Sequence, residues 1–275
     1  MRKIIFLDID GTIRDFDGHV PTSAIQAIQE ARKNGHEVCI STGRPYCQIE
    51  QSILDIGFDG VISGSGSYVE YKGQCVRHVY FTTMSYIALC NYLVENHCII
   101  EIQRHNACHI LKEQEREFLA MGAKIQEKLG EKAKQLTVLP TVVESSMSLT
   151  QVEKLLFFSN QLSNDELQKK WGDNLCITAF SIPNSEKWGG EITPQGVHKA
   201  EGIRSILNEG DFTQQDVIAI GDSENDLEML KFAAIGVAMG NSKPSVIEAA
   251  DMVTASLRED GIYQAFSKLN LIQSH

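Results

Sequence analysis

Apolar and polar positions follow two different rhythms along this chain. Residues 3–7 hold an unbroken apolar run, Ile4-Ile5-Phe6-Leu7, which predicts a strand covered on both faces. Ala24, Ile25, Ile28 and Ala31 then recur on one helical face; Thr22 or Ser23 is placed to cap that helix and Gly35 to end it. Residues 38–40 predict the next strand, 45–56 a helix with Pro45 in its first turn, and 60–63 a third strand. Segments 68–71 and 74–80 predict a hairpin turning at Lys72-Gly73. The rhythm returns late in the chain, with strands at 217–221, 235–238 and 252–254. Helices are expected at 224–233, around 246–250 and from Gly261 onward. Such alternation predicts an α/β fold, a Rossmann-like doubly wound parallel sheet with helices on both faces.

The middle of the chain departs from this order. Helices are expected at 83–97, 113–134 and 163–171, the last with Ser163 and Glu166 spaced for a capping box. Two strands fall within 99–112, around Arg104-His105-Asn106, and others at 154–159 and 175–182. This α+β block reads as an inserted domain over 82–187, leaving 1–81 and 188–275 as the core. Trp171 and Trp188 are expected to anchor packing at its ends.

Charge and composition narrow the function. The net charge is -11, a surface that repels nucleic acid and anionic lipid, so neither is an expected partner. No apolar stretch reaches the roughly 20 residues that span a bilayer, and the run after Met1-Arg2-Lys3 is too short for a signal peptide. Seven scattered cysteines do not suggest a disulfide framework, and the expectation is a cytoplasmic protein with reduced thiols. His97, Cys98, His105, Cys108 and His109 cluster locally but lack the paired spacing of a zinc site. Gly64-Ser65-Gly66 lacks the third glycine and following helix of a dinucleotide loop.

Four segments carry candidate chemistry. Asp8-Ile9-Asp10-Gly11-Thr12 follows the first strand, and ligands of parallel sheets bind beyond strand carboxyl ends. Two carboxylates two residues apart project the same way and repel unless a proton or cation lies between them. Oxygen donors of this kind suit magnesium, although a solvated pair of strand-end acids fits the same residues. Ser41-Thr42-Gly43-Arg44 offers a hydroxyl and backbone N–H groups to phosphate at a helix start, or forms an ordinary capping turn. Lys199 begins a helix after the insertion, where it either neutralises phosphate and nucleophile or sits in solvent. Gly221-Asp222-Ser223-Glu224-Asn225-Asp226 places Asp222 at another strand end. There Asn225 and Asp226 could hold phosphate or metal-bound water, or simply complement a helix dipole.

Taken in order, these segments resemble the haloacid dehalogenase superfamily of phosphatases. The matching stretches are DIDGT at 8–12, STGRP at 41–45, GVHKAEGI at 196–203 and GDSENDLEML at 221–230. VAMGNSKPSVIEAAD at 237–251 and TASLREDGI at 254–262 support them, and the insertion looks like the cap of the Cof-type subfamily. The resemblance implies that Asp8 attacks phosphorus and that Asp10 protonates the leaving oxygen and then activates water. It places magnesium on Asp8, the backbone carbonyl of Asp10, and Asp222. Phosphate would be received by Thr42, Lys199, Asn225 and the backbone near Ile9 and Gly43, with Arg44 as a further substrate contact. The cap is implied to close over the core and to select a small phosphorylated metabolite. Ser63-Gly64-Ser65-Gly66 stands where relatives often carry Asn-Gly-Ala, a departure that removes any inference about that contact. Rival expectations are a sugar phosphomutase and a non-catalytic phosphate-binding protein; a signalling receiver would need its acceptor aspartate later in the sheet.

Overall fold

Ile4–Leu7 forms β1 with every residue buried, as a wholly apolar strand requires when helices cover both sheet faces. It pairs in parallel with β2 (Glu37–Ser41) on one side and β12 (Val217–Gly221) on the other. The sheet continues through β3 (Gly60–Ser63), β4 (Tyr68–Tyr71) and β5 (Gln74–His78) at one edge, and through β13 (Ile235–Ala238) and β14 (Met252–Val253) at the other. Its β3–β4 and β4–β5 pairings are antiparallel, so the hairpin forms an edge, with Lys72 and Gly73 both at positive φ in its turn.

Helices α1 (Thr22–Lys33), α2 (Gln51–Leu54), α6 (Lys199–Glu209), α7 (Leu227–Phe232), α8 (Pro244–Ala249) and α9 (Gly261–Lys268) belong to the same unit. Ala24, Ala27, Ile28 and Ala31 are the buried face of α1. Phe6, Cys39, Ile62, Val69, Ile203, Val217 and Met229 share one core cluster, in which each large apolar side chain contributes ~1.5–3 kcal/mol.

The structure is a computed structural model and describes residues 1–129, 140–159, 161–180 and 189–273. Two compact units divide it: Met1–Gly43 with Ile49–His78 and His198–His275, and Arg44–Gln48 with Val79–Val197. The second unit contains α3 (Thr83–Glu95), β6 (Ile99–Gln103), β7 (Cys108–Leu111), α4 (Glu115–Leu129), β8 (Thr141–Val143), β9 (Lys154–Phe158), α5 (Asn164–Trp171), β10 (Leu175–Ala179) and β11 (Gly189–Pro194). Its sheet runs β10-β11-β9-β6-β7-β8. Leu89, Leu93, Ile100, Ile102, Leu155, Phe157 and Ile192 fill the core beneath, with Trp171 packed against it and edge-on to Tyr92 at 6.1 Å. Thr82 caps α3, and Ser163 with Glu166 completes the capping box of α5. A cap of this kind is worth ~1 kcal/mol.

Several elements differ from the sequence expectation. The helix expected over 45–56 is a 3-10 turn at Tyr46–Gln48 followed by the short α2. Tyr46 stacks on His105 at 4.7 Å and the Cys47 N–H donates to the His105 carbonyl, so contacts within the second unit override the local helical pattern. Pro21, not Thr22 or Ser23, occupies the capping position of α1; the Ser23 hydroxyl instead donates to Asp260. Strand β11 was not expected, because Gly189, Gly190 and Pro194 are poor strand formers. Phe157 carbonyl oxygen lies 1.9 Å from where a Cβ at Gly189 would sit, so only glycine fits that approach. Residues 130–134 of the expected long helix, 181–182 of an expected strand, and Trp188 lie outside the described residues. All seven cysteines are free thiols. Among the described residues no helix is long and apolar enough to cross a membrane.

Candidate active site

Parallel pairing brings the acids together. Leu7 of β1 stands opposite Ile220 of β12, and the Asp8 N–H donates to the Ile220 carbonyl at 3.0 Å. Neighbouring strands run roughly 4.8 Å apart, so Asp8 and Asp222, each just beyond its strand, must share one small space. Gly11 makes that space possible. It turns the chain at φ +88°, and a Cβ there would come within 2.2 Å of Asp222 Oδ2. The Thr12 hydroxyl donates to Asp222 Oδ1 at 3.2 Å, and Asn241 Nδ2 donates to the Gly11 carbonyl at 2.9 Å.

Lys199 enters from the first position of α6, with its side chain fully buried. Its Nζ donates to Asp8 Oδ1 and to Asp226 Oδ1, both at 2.6 Å. Asp226 is equally buried, and its Oδ2 accepts from the backbone N–H groups of Asp222 and Ser223, each at 3.0 Å. One carboxylate thus braces the loop after β12 and holds the lysine against Asp8.

The charges within this cluster do not cancel. Carboxylate oxygens of Asp8, Asp222 and Asp226 all lie within 4.8 Å of one another. Three carboxylates against one ammonium leave two formal negative charges in a buried site. Burial pushes the Asp8 carboxyl up to about 7 despite the opposing pull of Lys199, with Asp226 and Asp10 adding to the rise. Burial, with the charges of Asp8 and Asp226, likewise raises Asp222 well above the usual carboxylate range. Burial would lower Lys199, but Asp226 and Asp8 outweigh it and hold the ammonium charged. An all-oxygen donor set with this charge deficit fits a hard divalent cation.

The sequence profile of the haloacid dehalogenase-like hydrolases matches residues 5–266. The chain belongs to the haloacid dehalogenase-like hydrolases. Among relatives of this haloacid dehalogenase-like chain, the Bacillus subtilis protein YkrA is 28% identical, over 98% of this chain and 99% of its own. The 5-amino-6-(5-phospho-D-ribitylamino)uracil phosphatase YitU of Bacillus subtilis is 27% identical, over 94% of each. The solved structure of the subclass IIB sugar phosphatase BT4131 superposes with a TM-score of 0.81 at 27% identity, covering 98% of this chain and 100% of that one.

Within this haloacid dehalogenase-like hydrolase the remaining expected residues are placed as follows. Thr42 is buried just beyond β2, its N–H donating to the Ile62 carbonyl at 2.8 Å. The Ile9 carbonyl accepts from the N–H groups of Thr12, Ile13 and Arg14, closing the turn after β1. Asn225 is half-buried, and its Oδ1 accepts from the Ser223 hydroxyl at 2.9 Å. Gly43 ends the first stretch of the first unit, whereas Arg44 groups with the second, its Nη1 donating to the Gln48 carbonyl at 3.0 Å. Asp10 Oδ1 accepts from Arg14 Nη1 at 3.3 Å, and the charge of Asp10 contributes to the raised Asp8 carboxyl.

Two features escaped the sequence reading. Asp226 pairs directly with Lys199, and the fully buried Arg14 bridges Asp10 and Glu50. Arg14 stands four residues after Asp10, a spacing that hinted at the first pairing; nothing local pointed to Glu50.

Proposed function

We propose that this protein is a magnesium-dependent phosphatase that hydrolyses a small phosphate monoester through an aspartyl phosphate on Asp8. The observation that carries this reading is the buried Asp8–Lys199 pair beside Asp222. In it an anionic nucleophile, a fixed cation and a second strand-end carboxylate share one site. The similarity to YitU, a phosphatase of a phosphoribityl compound, and to the sugar phosphatase BT4131 supports a sugar phosphate or similar polyol phosphate as substrate.

Asp8 attacks phosphorus as the bond to the leaving oxygen breaks, and Asp10 donates a proton to that oxygen. Asp10, now a carboxylate, takes a proton from water as the water attacks the acyl phosphate, releasing inorganic phosphate and regenerating Asp8. Lys199, Thr42 and the backbone N–H groups of Ile9 and Gly43 receive the phosphoryl oxygens. Asn225, whose Oδ1 accepts from the Ser223 hydroxyl, offers its Nδ2 as a donor to phosphate. Arg44 supplies a further substrate contact. Asp8, the Asp10 carbonyl and Asp222 would hold magnesium, which when bound neutralises charge developing on the phosphoryl oxygens. Fixed cations and dipoles in a buried site supply most of the rate enhancement in such transfers.

The expected core, 1–81 and 188–275, is assigned to catalysis and the expected insertion, 82–187, to substrate selection. Because β11 pairs with β9 and β10, and the second unit takes in Val79–Val197 with Arg44–Gln48, those expected boundaries shift to match it. A net charge of -11 argues against nucleic acid or anionic membranes as partners, and free thiols suit the cytoplasm.

The test is turnover of an aryl phosphate with magnesium, followed by a panel of phosphorylated metabolites scored for inorganic phosphate. Asp8→Asn is expected to abolish turnover while keeping the native circular dichroism spectrum. Wild-type rates from that variant would remove Asp8 from its role, and sugar phosphate isomers without phosphate release would indicate a mutase.

A further inference from the structure

The geometry points to Arg14 as the positioning residue for Asp10, an inference that rests on reading Asp10 as the general acid and base. Arg14 is a fully buried guanidinium held by two carboxylates. Its Nη1 meets Asp10 Oδ1 at 3.3 Å and its Nη2 meets Glu50 Oε1 at 3.1 Å. The backbone ties the same residues together. The Gly11 N–H donates to the Arg14 carbonyl and the Arg14 N–H to the Ile9 carbonyl, both at 2.8 Å, with a bridge between Asp10 and Arg14. Glu50 comes from a separate segment and sits at the capping position of α2. Arg14 is therefore anchored at both ends of its fork and from both sides of the turn.

Stability alone does not account for this arrangement. A buried ion pair gains little over a well-packed apolar residue of similar size, because both charges must shed water. A residue that transfers protons gains something else. Contact between Oδ1 and a buried, permanently charged guanidinium, itself fixed by Glu50, restrains the Asp10 carboxyl in one orientation. The Asp10 side chain stays 23% exposed while Arg14 is 0% exposed, so the brace is interior and the transferring group remains accessible. A lysine, with one rotatable ammonium, would hold the carboxylate less firmly.

Leaving-group dependence separates positioning from structure. An alkyl phosphate needs its leaving oxygen protonated, whereas nitrophenolate departs without help. The readout is kcat/KM, which reports steps up to phosphoryl transfer onto Asp8. In Arg14→Met we expect kcat/KM for an alkyl phosphate to fall about 30- to 100-fold, the cost of a misplaced catalytic group. For nitrophenyl phosphate the loss should stay within about threefold, because proton donation contributes little there. Arg14→Lys should recover part of the alkyl rate. Glu50→Ala removes only the outer, partly exposed anchor, so it decides the matter if Arg14→Met does not fold; a several-fold loss confined to the alkyl substrate is expected. Asp10→Asn is the control and should show the same selectivity, larger in size. Equal losses on both substrates in the Arg14 and Glu50 variants, with Asp10→Asn still selective, would make Arg14 merely structural and overturn the inference. If Asp10→Asn itself shows no selectivity, the general-acid reading fails first and takes the inference with it.

Discussion

The Nζ of Lys199 lies 2.6 Å from Asp8 Oδ1, across 191 residues of sequence, and both side chains are buried. The same nitrogen reaches Asp226 at 2.6 Å, so one ammonium is shared by two carboxylates. Replacing it leaves two buried acids without a cation. Lys199→Met should therefore destabilise the protein by ~3–5 kcal/mol, measured by urea denaturation. Its turnover of an aryl phosphate should fall about 10²- to 10³-fold, as when a preorganised charge is removed from a reacting centre.

Proton release on metal binding follows from the same cluster. In the metal-free protein burial raises Asp8 to about 7, so near neutrality a large share of the site carries a proton on this group. A cation binds the carboxylate form and displaces that proton. Magnesium affinity should decline as pH falls through about 7, by about tenfold per unit for Asp8 and more where Asp222, also raised by burial, takes up a proton too. Calorimetry in buffers of different ionisation enthalpy checks this, with proton uptake or a flat profile as the contrary result. Chelation should abolish turnover, and added magnesium should restore it.

Gly11→Ala tests the turn that admits Asp222. The φ of +88° disfavours any side chain, and the new Cβ would meet Asp222 Oδ2 at 2.2 Å. Backbone strain alone should cost ~1 kcal/mol. Displacing Asp222 should raise the magnesium concentration for half-maximal activity about 10- to 100-fold, the range seen when ligand positioning is disturbed. Magnesium titrations of the variant and wild type read this directly.

Glu153, in the second unit, should make stability fall with pH. It is fully buried, and burial raises its carboxyl to about 7 from 4.5, although His105, Lys154 and Arg104 pull the other way. The native state then binds the proton more tightly than the unfolded state. Its contribution is complete below about pH 4.5 and is lost as pH rises through about 7. Glu153→Gln should be more stable than wild type at pH 8 by on the order of 2–3 kcal/mol, and equal to it near pH 4. Tryptophan fluorescence is the suitable probe, since Trp171 and Trp188 both fall within residues 79–197.

Much of the core was legible because its signals are local. An apolar run such as Ile4–Leu7 requires burial on both faces wherever it lies, and alternating strands and helices permit few sheets. Asp8, Thr42 and Asp222 could be assigned to strand ends for the same reason. Elements whose stability comes from distant partners were not legible. Gly189–Pro194 has weak strand propensity, yet it forms β11 because β9 and β10 supply ladders on both sides. Tyr46–Gln48 leaves its helical pattern for contacts with His105.

By itself, then, the order of residues determined the parallel α/β core, the inserted α+β block and the acids standing at the sheet's carboxyl edge. Only the tertiary structure decided that Lys199 is shared between Asp8 and Asp226, and that Arg14 is buried between Asp10 and Glu50. Hydrophobic periodicity acts over a few residues and is written in them. The charge partners of a buried side chain are chosen by which segments the fold brings within a few ångströms, and no local pattern records that choice.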